Sequence, residues 1–125
     1  PMIAYTLVGA NDYGKSLQFY DDLLAAVGAK RVMDFGNSVL YGFSQGPMFG
    51  VCKPYDGGKA TYGNGTMIAL NVGSTDKVDA LYAKAMTLGG KDEGGPGARG
   101  DNGFYAAYFR DLDGNKLCAF HMLRS

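Results

Sequence analysis

Residues 104–122 read FYAAYFRDLDGNKLCAFHM. Phe104 to Arg110 and Lys116 to Met122 are rich in apolar and aromatic residues, and Asp111-Leu112-Asp113-Gly114-Asn115 between them is a turn cluster, so the stretch predicts two adjacent strands. Side chains alternate along a strand, which sets Cys118 and His121, three residues apart, on opposite faces. A direct Cys and His dyad is therefore hard to build there. Cys118 reads as a small apolar filler or as a ligand-facing thiol, and the sequence places no cation or helix N-terminus next to it to activate it. His121, the sole histidine, reads as a residue at the sheet margin or as a proton carrier.

Upstream, the same kinds of element recur in a fixed order. Met2 to Ala10 reads as a strand, Asn11 or Asp12 offers a helix cap, and Leu17, Tyr20, Leu24 and Val27 follow helical spacing up to Gly28. Lys30 to Phe35, Val39 to Ser44 and Met48 to Lys53 then read as strands. After a Gly-rich connector, Thr66 to Val72 reads as a strand and a helix opens near Ser74 with Val78, Leu81, Ala85 and Leu88 on its apolar side. An offset of 61 residues carries the first set of helix positions onto the second and Gly28 onto Gly89, with the preceding strands needing a one-residue adjustment. The expectation is one domain over residues 1–125, built as module one (1–53), connector (54–65) and module two (66–125). Its class is α+β: two βαβββ modules forming an eight-strand curved sheet around a trough. Such a sheet needs its edges managed, and pairing with a second copy does this.

The 125 residues carry 12 Lys and Arg against 12 Asp and Glu. There is no basic excess for phosphates, so no nucleic acid partner is expected. No apolar run approaches the roughly 20 residues of a membrane span, and no secretion signal is evident, so no membrane partner is expected and the cytoplasm is the expected compartment. Cys52 and Cys118, far apart in sequence, are expected as free thiols. Gly95 to Gly100 formally matches a dinucleotide glycine pattern, but it follows a helix and leads into a strand, the reverse of what phosphate cradling requires. It reads as a flexible loop.

Asn11-Asp12 with Phe19-Tyr20, Tyr62 to Thr66 before Met67 to Leu70, Gly94 to Gly97, and Phe104 to Asn115 together resemble the glyoxalase, bleomycin-resistance and dioxygenase superfamily, also called vicinal oxygen chelate. The resemblance implies a divalent metal held by side chains on the first and last strands of each module. Carried onto this chain, those positions fall on Tyr5, Gly50, Met67 and Cys118. Tyr, Gly, Met and Cys are not the His, Gln and Glu of such a site, so no metal and no cofactor are expected. Arg99 is implied to hang over the trough mouth, either solvated or clamping an anion. Pro1 carries the type of N-terminal amine that serves as base in tautomerases, but the remaining pattern is not theirs.

The expected ligand pocket is Tyr5, Tyr41, Phe49, Met67, Arg99, Tyr105 and Cys118, an aromatic cup suited to a flat small molecule. The leading functional expectation is a homodimeric, glyoxalase-like protein that binds a small organic molecule, with a possible sequestration or resistance role. The alternative is a lyase, isomerase or glutathione-linked enzyme of the superfamily. A third reading is a dimeric adaptor with a collapsed trough.

Overall fold

A computed structural model describes residues 2–123; Pro1 and its amine lie outside the described residues. The first module runs β1 (Tyr5–Gly9), α1 (Tyr13–Ala25), β2 (Lys30–Asp34), β3 (Ser38–Gly42) and β4 (Met48–Cys52). The second runs β5 (Ile68–Asn71), α2 (Thr75–Thr87), β6 (Lys91–Ala98), β7 (Phe104–Arg110) and β8 (Lys116–Met122). The eight strands divide into two four-stranded sheets ordered β1-β4-β3-β2 and β5-β8-β7-β6. In each, the strand before the helix pairs parallel with the last strand of its module, and the other pairs are antiparallel.

Local chemistry explains the repeat. Asp12 caps α1 by accepting from the Lys15 N–H, and Ser74 caps α2 by accepting from the Lys77 N–H. Caps and helix bounds superpose at an offset of 62 residues, which also carries the buried Ser16, Phe19 and Leu23 onto Val78, Leu81 and Ala85. This offset replaces the expected 61. The buried stripe of α1 is broad, containing Phe19, Tyr20, Leu23 and Leu24, so its apolar pattern matches two neighbouring registers.

Residues 95–98, read as part of a flexible loop, are the second half of β6 instead. Pairing with β7 survives because the register shifts between Asp92 and Gly94 and again between Gly94 and Gly97. Gly94 sits at φ +149°, where a side chain would be strained.

Helix-facing side chains of both modules join in one core, with Tyr20, Leu23, Val39 and Val51 from the first and Leu81, Phe109, Leu117 and Ala119 from the second. Helices α1 and α2 touch one another inside that core. Each sheet therefore turns one face inward to the helices and the other outward, away from the opposite module.

A buried polar pin joins the halves. Asp111 accepts from the Tyr20 hydroxyl at 2.6 Å, from the backbone N–H groups of Asp113 and Asn115 at 2.9 Å, and from Asn115 Nδ2 at 2.9 Å. Asn115 Nδ2 also donates to the Gly9 carbonyl, and the Asn11 N–H donates to Asp113. The Asn11 side chain holds Ala60 of the connector at both its N–H and its carbonyl. The turn between β7 and β8 is thus both the end of a hairpin and the seam between modules.

Candidate functional site

On the outward face of the first sheet, Leu7, Gly50 and Leu40 pair in one cross-strand row. A Cβ built on Gly50 would come within 2.5 Å of both Leu7 Cδ2 and Leu40 Cδ2, so the two leucines close over the glycine. Tyr5 and Met33 flank this row and are 52% and 46% exposed, leaving an apolar face without cover.

The corresponding row of the second sheet is Ala69, Cys118, Tyr108 and Gly94. The Arg99 guanidinium lies 5.4 Å from the centre of the Tyr108 ring, and the Lys116 ammonium lies 5.6 Å from the same ring. Arg99 Nη1 donates to the Gly97 carbonyl and Nη2 to the Gly95 carbonyl at 2.6 Å, which fixes the fork. Cys118 is buried, and that burial pushes its thiol up, outweighing the Tyr108 hydrogen bond and the Arg99 and Lys116 charges that pull it down. Two cations absent from its sequence neighbourhood reading thus approach the sulfur, yet it stays a neutral thiol. Tyr108 is raised as well, mainly by burial.

A second concavity lies on the inward side. A cleft of about 670 Å³ opens between the first sheet, the C-terminal end of α1 and the β5 edge. Tyr41, Phe49 and Met67 line it together with Leu24 and Leu70, and Lys77 stands at its wall. Of the seven expected pocket residues, these three come together. Tyr5 faces outward on the first sheet, while Cys118 faces outward on the second with Arg99 beside it. Tyr105 is on the inward face, its hydroxyl donating to Asp79 of α2 at 2.7 Å. His121 pairs with Tyr105 on that inward face, opposite to Cys118. Tyr41 is not a free phenol either: its hydroxyl donates to Asp21 at 2.8 Å and contacts the Leu17 carbonyl, and burial pushes its pKa up.

The residues at the four family ligand positions do not fit a divalent cation. Gly50 offers no donor and its space is filled by Leu7 and Leu40; Tyr5, Met67 and the protonated Cys118 supply a phenol, a thioether and a thiol in place of imidazole and carboxylate. Among the described residues no group of three or more His, Cys, Asp or Glu side chains is placed to hold a metal. Cys52 and Cys118 are both free. Among the described residues no helix is long and apolar enough to cross a membrane.

Tyr108 and Lys116 are the residues that sequence reading passed over. Strand alternation from Cys118 finds Lys116, whereas Tyr108 needs the β7 to β8 register.

A family model described as the Glyoxalase/Bleomycin resistance protein/Dioxygenase superfamily matches residues 2–119. A glyoxalase/bleomycin resistance protein from Albidiferax ferrireducens T118 is 37% identical, with 97% of this chain and 98% of that one covered and a TM-score of 0.87. A hypothetical protein from S. aureus is 26% identical over 95% of this chain and 91% of its own, with a TM-score of 0.71. A lactoylglutathione lyase from Agrobacterium tumefaciens shares the fold at 22% identity and a TM-score of 0.69, with 97% and 94% of the chains covered. No curated protein matches the chain.

Proposed function

From the premise that this chain belongs to the glyoxalase/bleomycin resistance/dioxygenase superfamily, we propose that it binds a small organic molecule in a trough completed by a second copy of itself. One observation carries the reading: the modules share a single core through their inward faces, so the outward faces, which bear three of the four family site positions, point away from each other. Tyr5 and Gly50 belong to one outward face and Cys118 to the other, while Met67, just before β5, lines the inward cleft. A homodimer that sets the first sheet of one copy against the second sheet of its partner brings the two halves together and covers the exposed Tyr5, Leu7 and Met33. The lack of suitable ligand side chains favours binding and sequestration over metal-assisted lyase chemistry. Two free thiols support a reducing compartment such as the cytoplasm.

A second reading puts the ligand in the inward cleft of one copy, whose 670 Å³ is within the usual range for drug-sized molecules. Neighbouring residues of β1 separate the two. Leu7→Asp charges the trough face, and Thr6→Phe fills the cleft. Sedimentation equilibrium and a thermal-shift screen of aromatic and heteroaromatic compounds provide the test. Stabilisation by a hit that Leu7→Asp removes and Thr6→Phe keeps supports the trough; the opposite pattern moves the site to the cleft. A wild-type monomer at micromolar concentration with no hit at all defeats both. Stoichiometric bound metal together with glyoxalase turnover would replace sequestration with catalysis.

A further inference from the structure

Charge is unevenly divided between the two faces of the proposed trough. The outward row of the first sheet, Leu7 to Leu40 with Tyr5 and Met33 beside it, is apolar. The second sheet presents Arg99 and Lys116 around one tyrosine ring. Among the described residues the ion pairs join Lys15 to Asp12, Arg31 to Asp21 and Asp34, and Arg110 to Glu93, so neither Arg99 nor Lys116 is neutralised by any of them.

Register sharpens this. Lys116 lies directly opposite Arg110 in the β7 to β8 ladder, and like charges in that position repel. Glu93 answers Arg110 at 3.0 Å, and the Gly114 carbonyl takes a further guanidinium donor at 2.8 Å. Arg99 spends one donor on each of the Gly95 and Gly97 carbonyls, and a guanidinium has five. Those two bonds hold it over Tyr108 before any ligand arrives, so little side-chain freedom remains to be lost on binding.

We propose that the trough takes molecules with a flat apolar body and one anionic group, a carboxylate, sulfonate or phosphate, which Arg99 and Lys116 bind beside Tyr108. The apolar body packs against the partner copy's first-sheet face. This assignment rests on the two-copy trough; were that trough absent, the two halves of such a ligand would have no common site.

The test uses the full-length protein and two fluorescent probes of nearly equal apolar surface. One is 8-anilinonaphthalene-1-sulfonate, which is anionic; the other is N-phenyl-1-naphthylamine, which is neutral. Wild type is expected to bind the sulfonate about tenfold more tightly, with the difference shrinking as salt is raised. Lys116→Gln, whose amine makes no hydrogen bond to the described protein residues, removes most of that preference and leaves the neutral probe unchanged. Arg99→Gln does the same, and Arg99→Lys recovers part of the preference. Leu7→Asp weakens both probes. If Leu7→Asp weakens both while Lys116→Gln and Arg99→Gln bind the sulfonate as wild type does, the anion assignment is wrong and the trough stands. If Leu7→Asp binds both probes normally, the trough reading fails and takes the assignment with it.

Discussion

Tyr20 and Asp111 lie 91 positions apart in sequence and 2.6 Å apart in space. The Tyr20 hydroxyl is held well above its ordinary pKa, first by burial and then by the carboxylate it faces, so it remains a donor through the alkaline range. Asp111→Ala strands that hydroxyl together with the Asn115 and Asp113 N–H groups; a loss of about 3 kcal/mol in urea unfolding is expected. Tyr20→Phe, which leaves Asp111 three other donors, is expected to lose roughly half as much. A different pair governs acid sensitivity. The Arg31 hydrogen bond holds Asp21 below the usual carboxylate range despite partial burial. A depressed carboxylate contributes stability above its unfolded pKa of about 3.9 and loses it as pH falls through the folded value. The melting-temperature gap between wild type and Arg31→Gln should therefore be present at pH 6 and close below about pH 4. At Cys118 the raised pKa predicts slow alkylation by iodoacetamide at pH 7 in the folded protein and fast alkylation in denaturant, read by mass spectrometry.

Helices α1 and α2 begin on side-chain caps, and both caps were legible in the sequence. Asn11 and Asp12 competed for the first, and the structure divides the work: Asp12 caps, while Asn11 clamps Ala60. Asp12→Ala and Ser74→Ala should each lower unfolding stability by about 1 kcal/mol, measured by urea titration followed by circular dichroism. Most strands were legible as a succession along the chain, because turn residues and alternation punctuate it, but their order within each sheet was not. Nor was the face of each strand that meets a helix. Alternation relates residues within one strand, but the pairing registers that put Cys118 beside Tyr108, and Tyr105 beside His121, arise from contacts across the chain. For the same reason the expected pocket mixed inward residues, Tyr41, Phe49 and Tyr105, with outward ones, Tyr5 and Cys118. The two register shifts of β6 disguised a strand as a glycine loop, since bulges interrupt the period on which strand reading depends.

Across the whole molecule, the shared core fixes the two outward faces back to back. Each copy in the proposed homodimer then offers an apolar half-trough on one side and a cationic half-trough on the other, and two-fold pairing yields two equivalent sites. Wild type should accordingly sediment at twice the chain mass, and Leu7→Asp should shift it toward the monomer. The geometry also has a genetic corollary. A subunit damaged only at Leu7 and one damaged only at Lys116 are each defective when paired with their own kind. Brought together in one cell, they pair at random, and the roughly half of dimers that are mixed carry both lesions in one trough and a wholly native other, so two defective alleles would complement to about a quarter of normal capacity.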